Sequence, residues 1–214
     1  MTKLLVLGAT GYVGGIVTRL ALDDPSVTEV IAPTRRQLLL QNPRLKNPIV
    51  NLDALDEEAP WWRVDAAISA LGTTTRNTPS QADYEKIETS YPVTVATLVR
   101  NRGAKAFVYV SSIGASVSSR WFYLRAKGNT EDQLQRLGLP SLTLVRPSGI
   151  IGTRQPPRRT EELIFGLCQI ARPLLPKRWR VVTGKQVAKA LLEAALKPPP
   201  GTNIIESEVI QNLR

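Results

Sequence analysis

The chain has 214 residues, 43% hydrophobic and 21% charged, a composition that suits one soluble globular domain and a length too short for two. With no histidine and one cysteine, Cys168, it excludes serine–histidine and cysteine–histidine nucleophile pairs, an internal disulfide and the usual zinc sites. The net charge of +10 raises a polyanion as partner, but no aromatic-plus-basic motif accompanies it, so nucleic acid is not expected.

Strand and helix signals alternate from the first residue. Met1 to Leu7 reads as an immediate buried strand, without the longer apolar core or small-residue cleavage site of a signal peptide. No apolar run reaches the ~18 residues of a membrane span, and the single cysteine points to a reducing cytoplasm. After Gly8, apolar residues recur with helical spacing at Val13, Ile16, Val17 and Leu20, and Asp23-Asp24-Pro25 closes that helix. A second strand over 28–32 ends at Pro33 and Arg35-Arg36. A third is expected at 48–52, followed by Asp53, and a fourth at 64–70, running into Leu71-Gly72-Thr73-Thr74. Tyr84 to Arg100 reads as helix. A fifth strand, Ala106 to Val110, leads into Ser111-Ser112, and Phe122 to Leu137 is helical. Leu142 to Val145 is the sixth strand. Helices are expected at 162–171 and 185–196, with a last short strand at 203–206.

Six strands separated by crossover lengths predict an α/β fold. Its sheet is parallel and doubly wound, of the Rossmann type, in a single domain over 1–214. Residues 151–214 are expected to form a small cap on the same core.

Gly8-Ala9-Thr10-Gly11-Tyr12-Val13-Gly14 lies between the first strand and the first helix. Gly8 supplies a tight turn, Gly11 lets backbone approach a pyrophosphate, and Gly14 permits close packing of the helix. The helix amino terminus then offers N–H groups and a positive dipole end to the phosphates. The spacing is G-x-x-G-x-x-G rather than G-x-G-x-x-G, but its place after an apolar strand makes it a dinucleotide signal. At the tip of the second strand a carboxylate would bind a ribose 2′-OH and repel a 2′-phosphate. This chain has Arg35 and Arg36 there, whose guanidinium groups suit the phosphate of NADP(H).

Tyr123 and Lys127 stand four apart on one helical face. A free phenol has a pKa of about 10, and a nearby ammonium favours the phenolate. Ser111 and Ser112 lie at the carboxyl end of the fifth strand, the edge where doubly wound sheets build their sites. Ser112 is expected to face the substrate, with Ser111 close behind. Asp53 either accepts a hydrogen bond from an adenine amino group or caps the next segment. Trp61 and Trp62 are expected in the core or an interface, and Cys168 buried and inert.

The motifs GATGYVG, the arginine pair, LGTT, SSIGA, YLRAK followed by Gly128, and RPSGIIGTRQ cover nearly the whole chain. Together they make it resemble the atypical short-chain dehydrogenase/reductases, in particular the group named for the HIV Tat-interacting oxidoreductase. The resemblance implies NADPH in the glycine turn. It also implies cofactor contacts from Arg35, Arg36, Leu71, Gly72, Thr73, Tyr123, Lys127, Pro147, Ile150 and Arg158. Tyr123 would be the proton donor or acceptor, and Lys127 would bind the nicotinamide ribose. Arg154, Arg158 and Arg159 would line what remains of a substrate lobe, Arg159 equally a basic surface loop. The chain departs from better-studied branches in two respects, one of them a short stretch after the sixth strand, where extended members build a substrate lobe. Where the better-studied branches carry an asparagine on the helix before the fifth strand, it has Ser90-Tyr91-Pro92. Two functions compete: an NADPH-dependent reductase of a small carbonyl compound, and a catalytically silent NADP(H)-sensing module that regulates a protein partner.

Overall fold

The computed structural model describes residues 1–73, 78–152 and 176–213. Nine strands are described: β1 (Thr2–Leu7), β2 (Val27–Ile31), β3 (Leu45–Lys46), β4 (Ala66–Ser69), β5 (Ala106–Val110), β6 (Ser141–Arg146), β7 (Ile150–Ile151), β8 (Val182–Thr183) and β9 (Gly201–Glu206). Seven of them form one sheet in the order β3-β2-β1-β4-β5-β6-β9, every pair parallel. β7 and β8 pair separately. The strand order reverses between β1 and β4, and a doubly wound sheet opens its ligand crevice at that point.

The strands are apolar almost throughout because both faces of the sheet are covered. Leu4, Val6, Val30, Ile68 and Val108 pack against α1 (Tyr12–Asp23) and α5 (Gly184–Leu196). Leu5, Leu7, Ile31, Phe107, Tyr109, Leu142 and Leu144 face the other way, toward Trp62, α3 (Tyr91–Asn101) and α4 (Phe122–Arg136). This alternation, two residues per period, decides which face each site residue serves.

Two expectations are corrected. The third strand is Leu45–Lys46, not 48–52, and beyond it only a single bridge joins Thr34 to Ile49. Pro48 has no N–H to give the ladder. The side-chain amide of Asn47 supplies the missing donor to the Ala32 carbonyl at 2.6 Å, and the strand breaks there. Residues 151–214 are also more than a cap. Within them, α5 covers one sheet face and β9 extends the sheet beside β6 along six residues, while β8 pairs with β7 outside it. The expected helix at 162–171, Cys168, Thr74, Arg154, Arg158 and Arg159 lie outside the described residues.

The helix expected from Tyr84 to Arg100 contains a register change. α2 (Gln81–Glu85) is capped by Ser80, whose hydroxyl accepts from the Asp83 N–H. It passes through a π-helical turn over Lys86–Ser90 into α3. Pro92 explains the turn: it has no N–H for the Glu88 carbonyl four residues before it. That carbonyl instead accepts from the hydroxyls of Tyr109 at 3.2 Å and Thr130 at 3.0 Å.

Candidate functional site

The crevice beyond β1 and β4 begins with the glycine turn. Gly8 has φ +91°, and a Cβ on it would stand 2.7 Å from the backbone of Ala70 and Leu71. A Cβ on Gly14 would run into the Gly8 carbonyl. These two glycines are required by the fold itself. Gly11 differs: its N–H donates to the Gly8 carbonyl at 2.9 Å, and a Cβ would touch only that oxygen, at 3.2 Å, with open space beyond. Gly11 caps α1 without a side-chain bond, and no acidic residue stands in the first turn. The positive end of α1 therefore faces the crevice. Ala9 and Val13 are buried under the turn and Thr10 is exposed on it. The Tyr12 ring lies against Gly152 and Gly184, both of which must lack a side chain to admit it. It joins the turn to β7 and β8.

Arg35 and Arg36 are both exposed past the end of β2, on a turn held by Thr34, whose hydroxyl donates to the Arg36 carbonyl at 2.7 Å. Among the described residues neither guanidinium meets a carboxylate. Nearby, the Asp53 carboxylate accepts from the Tyr91 hydroxyl at 3.0 Å and faces the Lys86 ammonium at 3.3 Å. Those two partners hold its pKa below the usual carboxylate value. Among the described residues its side chain accepts from Lys86 and Tyr91 and from no backbone N–H of the following segment, which sets it against the start of α3 rather than at a cap.

At the other side of the crevice, Ser111 continues the β5 ladder, its N–H donating to the Val145 carbonyl at 2.8 Å. By strand parity it shares the face of Tyr109, the face of α4. Its hydroxyl is buried without a hydrogen-bond partner among the described residues. Ser112 has the opposite parity, and its hydroxyl donates to the Ile113 carbonyl at 3.3 Å. The Pro147 carbonyl accepts from the Ile113 N–H at 2.9 Å, which fixes the start of the segment leading to half-buried Ile150.

Tyr123 sits in the first turn of α4, 42% exposed. One turn further Lys127 is buried, its ammonium 2.7 Å from the Glu88 carboxylate, 2.7 Å from the Val110 carbonyl and 3.1 Å from the Tyr109 hydroxyl. Gly128 lets α4 sit this deep, since a Cβ there would strike the backbone of Ser116 and Val117. The other Glu88 oxygen accepts from the Thr73 N–H at 2.8 Å and would lie 3.3 Å from a Cβ on Gly72. The Leu71–Thr73 segment after β4 is thus docked on the same carboxylate that pairs with Lys127. Burial would pull the Lys127 pKa down, but Glu88, with Tyr109 and Tyr123 around it, pushes it well above the ordinary lysine value. Burial raises Tyr109 to about 12. Beside this cluster a cavity of about 310 Å³ is lined by Thr78, Ser80, Tyr84 and Phe122, the residue before Tyr123. Arg146, by contrast, is structural: it grips Glu131 at 2.6 and 2.9 Å and reaches Glu206 at 3.3 Å, tying β6 to α4 and β9.

The structure brings the glycine turn, the Leu71–Thr73 segment, Ser111, Tyr123 and Lys127 to one sheet edge. The residue missed in the sequence is Glu88. Tyr84, Glu88, Pro92, Val95 and Val99 form a buried stripe, and a carboxylate on such a stripe signals a buried cation opposite it.

A family model described as NAD(P)H-binding matches residues 8–198. This chain belongs to that family. Among curated relatives of this NAD(P)H-binding protein, Protein FMP52, mitochondrial, from Eremothecium gossypii is 35% identical over 71% of this chain and 67% of its own length. Protein HTATIP2 from Rattus norvegicus is 28% identical over 99% of this chain and 88% of its own. The UDP-glucuronic acid 4-epimerase from Bacillus cereus, solved in complex with NAD, superposes with a TM-score of 0.71 at 12% identity, covering 95% of this chain and 78% of that one. The Bordetella bronchiseptica enzyme WbmH, solved with NAD+, gives 0.68 at 14%, over 95% and 74%. The fold is that of these dinucleotide-binding structures, and the relatives support the resemblance read from the motifs.

Proposed function

We propose that this chain is an NADP(H)-dependent reductase of a small carbonyl compound. The observation that carries the reading is the convergence on one crevice of an open glycine turn, two exposed arginines and the Tyr123–Lys127 pair. The cofactor fits the residues present: the pyrophosphate over Gly11 at the α1 terminus, the 2′-phosphate by Arg35 and Arg36, and the rest along Leu71–Thr73 and toward Pro147 and Ile150. When bound, NADPH supplies the hydride. Tyr123, exposed at the start of α4, gives its hydroxyl proton to the substrate oxygen. Ser111, whose hydroxyl has no partner and whose parity matches α4, donates a hydrogen bond that orients the carbonyl; this favours it over Ser112. Lys127 supplies a fixed positive charge beneath. The cavity bounded by Tyr84 and Phe122 offers the substrate an aromatic wall.

A second reading, the NADP(H) sensor with a protein partner, draws support from Lys127, whose ammonium already faces three protein oxygens. The compartment belongs to the proposal too. Among the described residues no helix is long and apolar enough to cross a membrane. The single cysteine suits the cytoplasm, while the fungal relatives carry the name mitochondrial, and fractionation of the native host would distinguish the two.

A screen of carbonyl compounds by loss of NADPH absorbance tests the reductase. Tyr123→Phe is expected to remove turnover, chiefly in kcat, and to leave NADPH affinity within about twofold. Full turnover by that variant would hand the lead to the sensor reading.

A further inference from the structure

Lys127 is surrounded on every side. Glu88 faces it from the π-helical turn, Tyr109 from β5 and Tyr84 from α2, with Tyr123 on its own helix. Its Nζ also stands 4.7 Å from the centre of the Tyr109 ring. The other acid on α4's buried side, Glu131, is taken up by Arg146. Glu88 is therefore the one carboxylate within ion-pair distance of Lys127 among the described residues. Its side chain is 1% exposed and that of Lys127 5%. An ammonium this deep, facing only phenols and a carbonyl, would lose its proton far more readily than a free lysine.

The position of Glu88 follows from the sequence around it. Pro92 opens the π-helical turn, and the freed Glu88 carbonyl is tied to Tyr109 and Thr130, which pins the residue between β5 and α4. From there one carboxylate oxygen holds the Thr73 N–H while the other lies against Lys127. That second oxygen has no aligned hydrogen-bond donor, so the pair is held by charge and closeness.

We infer that Glu88 is a positioning residue of this site. It keeps Lys127 charged and fixed in place, and it couples that charge to the Leu71–Thr73 segment that borders the dinucleotide crevice. Glu88 itself touches neither cofactor nor substrate; it acts through Lys127 and Thr73. The inference deepens the reductase reading and rests on it for the use made of Lys127. The carboxylate takes up the work that an uncharged partner on this helix could not do for so buried an ammonium.

The test compares the full chain with Glu88→Gln, which keeps an acceptor for the Thr73 N–H and removes the charge. The first readout is NADPH affinity by calorimetry between pH 7 and 10. The wild type is expected to hold a nearly constant Kd from pH 7 to 9.5. The variant is expected to weaken at least fivefold over the same range as Lys127 loses its proton. A merely structural Glu88 would lower thermal stability and leave the two pH profiles parallel, which would overturn the inference. The second readout needs no turnover, no ligand and no variant of Glu88. The ¹³Cε resonance of Lys127, assigned by its absence in Lys127→Arg, should stay at its protonated position in the wild type beyond pH 10.5. Titration of that resonance below pH 10 would also overturn the inference, even if Glu88→Gln failed to fold. Failure to find any reducible substrate would count against the reductase reading and leave both of these outcomes decisive.

Discussion

The two sides of the crevice are built on opposite principles. On the β1 side, the groups nearest the crevice face outward: the first turn of α1 lacks a side-chain cap, and Arg35 and Arg36 are exposed without carboxylates among the described residues. On the β5 side, Lys127, Glu88, Tyr109 and Thr73 are turned toward one another in one network of ion pair and hydrogen bonds, with the Ser111 hydroxyl left unpaired beside it among the described residues. A side that awaits an anion has its binding energy in reserve and little of the fold's stability. A side that holds a buried ion pair has stability at stake in every member. Substitutions of these particular groups should therefore sort by side, those of the outward groups near β1 costing chiefly ligand and those that break the Lys127–Glu88 pair costing chiefly stability.

The largest expected effect lies on the β5 side. Lys127→Ala leaves Glu88 buried without its cation and should cost about 3–5 kcal/mol of unfolding free energy in urea titrations. Lys127→Met combined with Glu88→Leu removes both charges and should recover most of that loss. If Lys127→Ala unfolds like the wild type, the inward network carries no stability and the contrast between the sides disappears.

Gly11→Val should do the reverse. Its branched side chain occupies the open space over the α1 terminus, so NADPH and NADH affinity should each fall more than a hundredfold, while the melting temperature drops only a few degrees. Normal binding by this variant would mean that the glycine turn serves packing alone.

Alkaline pH should have a smaller effect, confined to the buried groups of the β5 side. Tyr84, Tyr109 and Lys127 all have pKa values above their ordinary 10.0, 10.0 and 10.5 in the folded chain, where burial raises the two tyrosines and Glu88 outweighs burial at the lysine. Groups raised by folding stabilise it below their unfolded pKa, and that contribution is lost as pH rises toward the folded value. Melting temperature should therefore be flat from pH 7 to about 9.5 and fall progressively above pH 10. A fall beginning near pH 8 would contradict the assignment of these groups.

The two sides were also unequally legible in the sequence. The glycine turn, the arginine pair and the strands β1, β4, β5 and β6 announce themselves locally, because a fully covered parallel strand is an unbroken apolar run and a phosphate cradle needs glycines at fixed spacing. Tyr123 and Lys127 were visible as an i, i+4 pair. Glu88 carries no such local signal, because its partner is 39 residues away and its orientation depends on the turn that Pro92 imposes. The apolar run at 48–52 suggests the third strand a few residues late, whereas the ladder depends on which residues carry an N–H, and Pro48 carries none. The stretch after 151 reads as a cap in the sequence, whereas β9 belongs to the sheet through its pairing with β6, which lies far back in the chain. The parity that separates Ser111 from Ser112 required knowing which helix covers which face.

The proposed selection of NADP(H) by Arg35 and Arg36 on the β1 side is tested by calorimetry of NADPH and NADH on the wild type and on the Arg35→Ala, Arg36→Ala double variant. Charge-assisted contacts of this kind are worth roughly 1.5–3 kcal/mol each, so the wild type should prefer NADPH at least tenfold. The double variant should lose that preference, keep its NADH affinity and keep its unfolding free energy. Equal affinities in the wild type, or a preference that survives loss of both arginines, would contradict the account.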